Sequence, residues 1–266
     1  MKLVKPINFR NIDMVSTLDF MENMKKFKIN NNFAVAVSGG PDSLALMLLS
    51  NEYANRLDLK MTVICIDHNL RKNSSNEVKW VRSQAMKLGA HFITAKIPKN
   101  NLKSNLMSYA RDVRYKELYK ICSRKKIKTL LTAHHLDDEI ENFLMRLVRG
   151  SGIKGLSSLK QKSIVNNNKL LLIRPLLHYP KKSLIKYLSS KKQTYLFDPT
   201  NKDLNFDRSR IRQLSETLIK EGLSKNRFST VIKNLKNANE AVEELISIYI
   251  PKIFTFHDKS KIQINL

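Results

Sequence analysis

The residues best suited to chemistry in this sequence form the stretch Ser-Gly-Gly-Pro-Asp-Ser at positions 38–43, between an apolar run and a helical pattern. Glycines at such a turn let the backbone approach a ligand closely, and the backbone N–H groups that begin the next helix attract an anion. Phosphate is the natural ligand for this arrangement. The residues that we expect to bind it are Ser38, Gly39, Gly40, Pro41, Asp42 and Ser43.

Asp42 distinguishes this loop from a Walker A loop, which ends in Gly-Lys-Ser or Gly-Lys-Thr. A carboxylate beside a polyphosphate repels it unless a cation intervenes, so Asp42 implies bound Mg²⁺. The alternative is a plain strand-to-helix turn in which Asp42 or Ser43 caps the helix. The complete series Gly-Gly-Pro-Asp-Ser favours the phosphate site over the plain turn.

A second group of titratable residues lies at positions 132–142, in the order Thr-Ala-His-His-Leu-Asp-Asp-Glu-Ile-Glu-Asn. Asp137 and Glu141 are four residues apart and would share one face of a helix, where two acids can bind Mg²⁺ or an ammonium group. Acids at the start of a helix also stabilise it, which explains Asp137 or Asp138 singly. That explanation does not cover two adjacent histidines with a further acid one turn on. The order His-His-x-Asp-Asp also differs from the His-Glu-x-x-His of a zinc site.

Other candidate site residues follow apolar runs or belong to helical patterns and the stretches beside them. They are His68, Arg114, Gly150, Lys154, Arg208, Arg210 and Arg212. For His68 alone, local hydrogen bonding is the simpler explanation. Gly150 and Lys154 belong to a basic, glycine-rich stretch at 149–155, which suits a phosphate clamp or a hinge.

These groups are far apart in sequence, so the fold must bring them together. Short, nearly continuous apolar runs lie at 33–37, 61–67, 91–97, 129–135 and 169–175. They alternate with helical patterns at 42–56, 75–88, 105–124, 137–148 and 181–191. Strands that are apolar on both faces are typical of a parallel sheet covered by helices, which binds ligands at the carboxyl ends of its strands. We therefore predict an α/β fold with a parallel sheet.

From Asn205 on, helical periodicity replaces the strand pattern. The predicted division has three parts. They are a helical N-terminal extension at 1–30 that packs on the main domain, the main domain at 31–205 and a helical C-terminal segment at 206–266.

The composition favours a polyanionic partner. Lysine and arginine total 48 against 23 acids, which gives a net charge of +25 and attracts phosphate-rich molecules such as nucleic acid. Drift toward lysine-rich coding supplies part of this excess, since 34 of the 48 are lysines. Cys65 and Cys122 are far apart, so neither a disulfide framework nor a cysteine-held metal site is indicated. Without a membrane-length apolar run or a leader pattern, we expect a soluble cytoplasmic protein.

Taken together, the motifs resemble those of the tRNA(Ile)-lysidine synthases, within the N-type ATP pyrophosphatases or PP-loop proteins. The stretch at 38–43 is similar to the PP-loop itself. Further motifs occur in the order and spacing of that family: DHNLR, ARDVRY, TAHHLDDEIEN, RGSGIKGLSSL, IRPLL, and DPTNKD with RSRIR. Asn142 stands where the family usually has threonine, FDPTN replaces EDPSN, and RSRIR replaces RNRIR. The chain ends about 50 residues after the last motif, so we expect a short form without the extra C-terminal domains of larger members.

The resemblance implies an adenine nucleotide alpha hydrolase-like domain, which is a Rossmann-like PP-loop fold, and a reaction in two steps. ATP would adenylate the wobble cytidine in the CAU anticodon of tRNA(Ile) and release diphosphate. Free L-lysine would then attack the activated base and release AMP, so that the tRNA reads AUA instead of AUG. ATP and Mg²⁺ are the implied cofactors, and a homodimer is left open.

The resemblance also implies roles for individual residues. The implied catalytic residues are Asp42, His134, Asp137 and Glu141. The implied ATP ligands are the loop at 38–43 with His68, Arg114, His134 and Gly150, and the implied metal ligands are Asp42 and Asp138. The implied tRNA contacts are Lys154, Arg208, Arg210 and Arg212.

Two alternatives stay open at this point. A PP-loop tRNA thiolase usually relies on paired cysteines or an iron–sulfur cluster, and the lack of a Cys-x-x-Cys pair argues against it. A tRNA-binding protein that has lost turnover would have no need of the acids and glycines that this sequence retains.

Overall fold

The computed structural model describes residues 3–4, 14–67, 69, 74–97, 106–157, 159–167, 169–197, 207–258 and 261–264. The chain divides into two compact units. The sheet unit comprises Met1–Asp138 and Lys160–Asp203, and the helical unit comprises Glu139–Leu159 and Leu204–Leu266. The division near residue 204 lies next to the predicted boundary at 205, whereas 139–159 groups with the C-terminal helices instead of the predicted main domain.

The sheet unit alternates strands and helices along the chain. Its strands are β1 (Leu3–Val4), β2 (Phe33–Ala36), β3 (Met61–Asp67), β4 (His91–Lys96), β5 (Thr129–Leu131), β6 (Lys162–Val165), β7 (Leu170–Ile173) and β8 (Tyr195–Leu196). Its helices are α1 (Thr17–Lys25), α2 (Pro41–Arg56), α3 (Ser74–Lys87), α4 (Leu106–Arg124) and α7 (Lys181–Ser190). Helix α5 (Leu136–Val148) begins in this unit and continues in the helical unit.

The strand order of the main sheet is β4-β3-β2-β5-β7-β6. All neighbouring pairs are parallel except β6 and β7, which run antiparallel. The predicted parallel sheet is therefore confirmed, with β6 as an added antiparallel edge strand. This strand escaped prediction because its four residues alternate between exposed and half-buried positions and lack a continuous apolar run. Strand β5 ends at Leu131, four residues before the apolar run does, so that residues 132–135 follow the strand at its carboxyl end.

Successive side chains of β2 point to opposite faces of the sheet, and each face has its own hydrophobic core. Phe33 and Val35 belong to the core on one face, where α1, α2 and α7 add apolar side chains such as Phe20. Ala34 belongs to the core on the other face, where α4 adds Leu118. Successive strand residues point to opposite faces, so a strand buried on both faces must be apolar throughout. This explains why these strands are visible in the sequence as continuous apolar runs.

The helical unit contains the remaining described elements. They are the second part of α5 with α6 (Ile153–Leu156), α8 (Asp207–Lys220), α9 (Lys225–Ile253), β9 (Phe254–Asp258) and β10 (Lys261–Ile264). The rings of Phe143 on α5 and Phe228 on α9 pack edge to face with centroids 6.4 Å apart. Helices α8 and α9 match the predicted periodicity, whereas the antiparallel hairpin of β9 and β10 was not predicted. Among the described residues, no helix combines the length and the apolar character needed to cross a membrane.

Candidate functional site

The loop at 38–43 connects β2 to α2, and its two serines brace it. The Ser38 backbone N–H donates to Ser43 Oγ over 3.2 Å, and the two hydroxyl oxygens are 3.3 Å apart. Ser43 Oγ in turn donates to the Gly40 carbonyl over 3.1 Å. The N-cap of α2 is Gly40, with no side-chain capping hydrogen bond, and Pro41 begins the helix. Because neither Asp42 nor Ser43 is the N-cap, the plain capped turn does not describe this loop.

The two glycines of the loop have different reasons to be glycine. Gly39 has a φ of +89°, and a Cβ there would lie 2.5 Å from Leu196 Cδ1, so the fold itself requires glycine. Gly40 has an ordinary φ of −66°, and a Cβ would come no nearer than 3.9 Å to Ser38 Oγ. The fold therefore leaves open space beside the backbone at Gly40. A phosphate that approaches the first turn of α2 would use that space.

A cluster of carboxylates surrounds His135, which follows β5, the strand beside β2. Its Nε2 lies 3.5 Å from both Asp42 Oδ2 and Asp138 Oδ2, and its Nδ1 lies 3.9 Å from Asp137 Oδ2. In the neutral ring Nδ1 accepts from the Asp138 backbone N–H over 3.3 Å and the proton is on Nε2, toward the carboxylates, whereas protonation of Nδ1 gives up this hydrogen bond. We call these four residues the carboxylate cluster. It joins the loop after β2 to the start of α5.

The charges in this cluster stabilise one another. Burial lowers the pKa of His135, but the carboxylates of Asp138 and Asp42 outweigh burial and raise this pKa to about 9. Burial raises the pKa of Asp42, but His135 and Lys181 outweigh burial and bring this pKa below its usual value. Lys181 Nζ lies 3.2 Å from Asp42 Oδ2. The cation that Asp42 needs beside a phosphate is thus supplied at least in part by the protein.

Asp42 also keeps one oxygen available for a metal. Its Oδ1 is buried and makes no hydrogen bond within the part of the chain that the structure describes. The same residues contain no group of three or more His, Cys, Asp or Glu side chains arranged to hold a metal ion. Mg²⁺ in phosphate-transfer sites usually has one or two protein carboxylates and takes its other ligands from phosphate and water. The residues present fit that kind of magnesium site, with Asp42 Oδ1 as the ligand.

Asp137 and Asp138 both have structural partners. Asp137 Oδ2 accepts from the backbone N–H of Lys181 over 2.8 Å and so caps the start of α7. Asp138 Oδ2 accepts from the His135 backbone N–H over 3.1 Å. These contacts fix the two carboxylates beside the loop. Asp42, Asp137 and Asp138, which the sequence predicted as site residues, are therefore brought together.

The histidine that the sequence singled out, His134, lies in surroundings of the opposite charge. Arg111 Nη2 is 3.4 Å from His134 Nε2, and Thr132 Oγ1 is 3.1 Å from His134 Nδ1. A guanidinium can only donate, so Nε2 accepts from Arg111 and the ring proton is on Nδ1, toward Thr132. Burial, together with Arg174, Arg111 and the predicted ATP ligand Arg114, lowers the pKa of His134 well below its usual value. His134 is thus a neutral acceptor that positions Arg111.

Glu141, the fourth predicted catalytic residue, belongs to the helical unit and has a partner there. Arg212 Nε donates to Glu141 Oε1 over 2.5 Å, and Arg212 Nη2 donates to Oε2 over 3.3 Å. The side chain of Glu141 is 7% exposed, so this is a bidentate and largely buried ion pair. Glu139 is also paired, since its Oε1 accepts a single hydrogen bond from Lys236 Nζ over 2.5 Å. The structure therefore gives Arg212, which was predicted to contact tRNA, a carboxylate partner within the protein.

The remaining predicted residues also lie in the helical unit, except His68, which is outside the described residues. Gly150 has a φ of +70°, and the N–H groups of Gly150 and Ser151 donate back to the carbonyls of Leu147 and Arg146. This pattern ends α5 and accounts for the glycine. The Lys154 side chain is 87% exposed, with Nζ 3.9 Å from Glu243 Oε1. Arg210 is exposed, and the side chain of Arg208 is outside the described residues.

Two residues of the site, His135 and Lys181, were not chosen from the sequence. The two histidines are adjacent, and sequence alone does not say which of them faces the loop after β2. Lys181 carried a signal, because a lysine at the first position of a helix opposes the helix dipole and needs another reason to be there. That reason is its contact with Asp42.

Comparison with known families identifies the loop and the sheet around it. Residues 14–218 match the family model described as the PP-loop domain. This match includes the sheet, the loop at 38–43 and the carboxylate cluster.

Curated relatives extend the similarity. The chain is 35% identical over 239 residues to a tRNA(Ile)-lysidine synthase of Wolbachia pipientis wMel, which covers 89% of this chain and 55% of that protein. It is 40% identical over 183 residues to one of Rickettsia bellii, covering 69% and 42%, and 38% identical over 213 residues to one of Bradyrhizobium diazoefficiens, covering 79% and 58%. The chain thus spans about half the length of the curated relatives it matches.

Among solved structures, the chain is similar to the U34-tRNA thiolase NcsA from Methanococcus maripaludis, which was solved with its 4Fe-4S cluster. The TM-score is 0.68 at 17% identity, and the match covers 85% of this chain and 78% of that one. At this identity the likeness supports the fold and not a shared activity.

Proposed function

We propose a function for this chain from the premise that it belongs to the PP-loop domain family, as the match over residues 14–218 shows. The proposed function is that of a tRNA(Ile)-lysidine synthase. The chain adenylates the wobble cytidine of the CAU anticodon with ATP, releases diphosphate, and joins free L-lysine to the activated base with release of AMP. This is a carbon–nitrogen ligase reaction, and tRNA(Ile) and lysine are its substrates.

The observation that carries this proposal is the contact between the loop at 38–43, which we call the phosphate loop, and the residues at the start of α5. His135 Nε2 lies 3.5 Å from Asp42 Oδ2, so the acids at the start of α5 and the loop after β2 form one site. A phosphate-binding loop beside carboxylates suits a reaction that first expels diphosphate and then receives an amine. The curated relatives whose printed name is tRNA(Ile)-lysidine synthase support this choice of reaction.

The residues of the loop are suited to the first step. The backbone N–H groups at the start of α2 and the hydroxyls of Ser38 and Ser43 can donate to the diphosphate as it departs. Lys181 and His135 keep Asp42 ionised beside this charge. No side-chain nucleophile is required, because the base oxygen attacks the α-phosphate of ATP and the diphosphate leaves.

The carboxylate cluster is suited to the second step. The lysine side chain or α-amine reaches the base as a cation and must lose a proton before it attacks. Asp137 can hold that ammonium group and accept the proton, because its carboxylate is fixed by the backbone N–H of Lys181. The amine nitrogen then bonds to carbon 2 of the cytosine, and the oxygen there leaves with AMP. The catalytic role predicted for Glu141 stays a prediction. In that role the Glu141 carboxylate would act while it is hydrogen-bonded to Arg212.

Mg²⁺ is the proposed metal of this site. Asp42 would hold it through Oδ1, with Asp138 as the second carboxylate of the predicted pair, and the ion would supply positive charge to the polyphosphate. Lys181, which lies beside Asp42, would add a further positive charge near the polyphosphate whether or not the metal is bound.

A sulfur transferase is the alternative function to test, because a PP-loop tRNA thiolase would also activate a tRNA base with ATP. The two cysteines of this chain do not suit sulfur chemistry. Cys65 and Cys122 are both buried, and burial raises the pKa of each thiol to about 12. A thiol that stays protonated and has no access to solvent is a poor nucleophile and a poor cluster ligand.

Incorporation of labelled lysine tests the proposed function. The chain is incubated with ATP, Mg²⁺, radiolabelled L-lysine and a tRNA(Ile) transcript that carries the CAU anticodon. The expected result is acid-precipitable label in the tRNA, and one diphosphate released for each lysine joined. The matched control is the same transcript with a UAU anticodon, which lacks the wobble cytidine and stays unlabelled. Label from sulfide in place of lysine, or equal labelling of both transcripts, would overturn the proposal.

A further inference from the structure

Three arginines, Arg111, Arg114 and Arg174, lie around the neutral His134, and we call these four residues the arginine cluster. Arg174 follows β7 and is 9% exposed. Its Nη1 donates to the Lys160 carbonyl over 2.7 Å and to Ser163 Oγ over 3.3 Å. Its Nε is buried and has no hydrogen-bond partner within the described part of the chain. An arginine side chain stays charged, so this donor is a buried and unsatisfied part of a cation.

Arg111 and Arg114 add two more guanidiniums to the same place. Both stack on the ring of Tyr115, with Cζ 5.4 Å and 5.7 Å from the ring centroid. Arg111 also donates to His134 Nε2 over 3.4 Å. No carboxylate within the described ranges forms an ion pair with Arg111 or Arg174. Helix α4 and the ends of β5 and β7 therefore bring cations together where their mutual repulsion calls for an anion.

The position of the cluster relates it to the phosphate loop. Strand β5 lies between β2 and β7, and all three are parallel, so their carboxyl ends lie at one edge of the sheet. The phosphate loop follows β2, the two histidines follow β5, and Arg174 follows β7. His135 contacts Asp42 of the loop, whereas its neighbour His134 contacts the arginine cluster. A ligand that extends along this edge would meet the loop first and the arginines next.

We infer that Arg111 and Arg174 form a second phosphate-binding site, separate from the loop at 38–43, with Arg174 Nε and the guanidinium N–H groups of Arg111 that do not bind His134 as its donors. This inference rests on the proposed function, in which ATP and tRNA are both bound at this edge. The phosphate comes either from the nucleotide, as its α-phosphate, or from the RNA backbone beside the modified cytidine. Both sources present oxygens that guanidiniums bind with paired hydrogen bonds.

Binding measurements on the full chain test this site without turnover. The variants are Arg111→Gln and Arg174→Gln, and the matched control is Arg124→Gln, which removes an exposed arginine from the last turn of the same helix, α4. The probes are α,β-methylene ATP with Mg²⁺ and a tRNA(Ile) transcript, each without lysine. If Arg174→Gln lowers the melting temperature far below that of the parent, Arg111→Gln, whose side chain is only half-buried, carries the test.

The expected result is about tenfold weaker binding of one probe, the size of effect that a lost charged hydrogen bond has. If the phosphate belongs to the nucleotide, the Kd of the ATP analogue rises and that of tRNA does not. If it belongs to the RNA, the Kd of tRNA rises, and the slope of log K against log salt decreases by about one. Either result supports a second phosphate site, and neither depends on lysine transfer.

Two results would overturn the inference. One is that both probes bind each variant as they bind Arg124→Gln. The other is that both Kd values stay constant while the KM for lysine rises, which would assign the arginines to the lysine carboxylate. Since binding of either probe needs no lysidine product, a chain that fails the labelling experiment can still pass this one.

Discussion

His134 and His135 are neighbours in the chain after β5, yet the charges around them are opposite in sign. His135 lies among Asp42, Asp137 and Asp138, and the carboxylates of Asp138 and Asp42 outweigh burial and raise its pKa to about 9. His134 lies among Arg111, Arg114 and Arg174, and its pKa is well below the usual value because of burial and these cations. One strand end thus separates an acidic half of the site from a basic half. The acidic half suits a metal or an amine, and the basic half suits a phosphate.

Two arginines of the molecule also differ in whether a carboxylate balances their charge. Arg212, in the helical unit, has a bidentate carboxylate partner in Glu141. Arg174, in the sheet unit, is more deeply buried and has no such partner within the described residues. The charge of Arg212 is thus balanced within the protein, whereas Arg174 hydrogen-bonds to neutral groups and leaves one buried donor that suits a bound anion.

The largest effect is expected at Asp42, on the acidic side. Asp42→Asn keeps the size of the side chain but removes the charge that faces His135 and Lys181. We expect ATP-dependent diphosphate release to fall on the order of 100-fold, as when one electrostatic contact of an active site is lost. The rate of diphosphate release is measured at saturating tRNA. The control is Asp58→Asn, which changes an exposed aspartate in the same way. Near-parent release in excess Mg²⁺, or an unfolded variant, would contradict the role given to Asp42.

The next effect is a pH dependence of stability that His135 creates. The folded pKa is about 9, above the unfolded value of about 6.5, so the folded protein holds this proton more tightly. The resulting stability is fully present below pH 6.5 and is lost as the pH rises through 9. Its size is on the order of 3 kcal/mol at most. Urea unfolding from pH 6 to 10 measures it.

His135→Gln should remove this dependence, because glutamine has no proton to lose. The control is His91→Gln, which replaces an exposed histidine on β4 and should follow the parent curve. If the difference in unfolding free energy between the parent and His135→Gln stays constant from pH 6 to 10, the carboxylates do not raise the pKa of His135.

Much of the fold could be predicted from the sequence, because a sheet buried on both faces needs apolar strands. The five helices that follow the strands in the sequence begin and end within one residue of their predicted limits. The antiparallel strand β6 and the C-terminal hairpin were missed because neither has a continuous apolar run. The residues at 132–135 were assigned to a strand, since Thr-Ala-His-His continues an apolar run.

The site was predicted in part, for a different reason. Residue types such as Asp42 and Asp137 identify carboxylate chemistry, but the sequence does not show which partner each charge finds. The pairing of Glu141 with Arg212 joins positions 71 residues apart, and that of Asp42 with Lys181 is longer still. Such pairs depend on the packing of whole elements, and no local pattern encodes them.

The third effect concerns Arg212, which forms the ion pair with Glu141. Arg212→Gln would leave Glu141 buried without its counter-ion, which should cost about 2 kcal/mol of unfolding free energy, less than for a fully buried pair because Arg212 is partly exposed. Glu141→Gln in the same chain should restore part of the loss. Arg210 is exposed, so Arg210→Gln should change the free energy of unfolding by less than about 1 kcal/mol and lower the salt slope of tRNA binding by about one. Equal effects of Arg210→Gln and Arg212→Gln on tRNA binding would assign both to the RNA.

The smallest effect is expected at His134, on the basic side, and its sign is opposite to that at His135. The folded pKa is lowered, so the folded protein binds this proton less tightly than the unfolded chain does. The free energy of unfolding should therefore decrease as the pH falls below the unfolded value of about 6.5. His134→Gln keeps an acceptor for Arg111 and a donor for Thr132, so it should change stability little at pH 8 and flatten the decrease below pH 6.5. Urea unfolding of the parent and the variant from pH 8 to 5 checks both statements. A His134→Gln curve parallel to that of the parent would mean that the arginines leave the proton affinity of His134 unchanged, and the two halves of the site would then not differ as proposed.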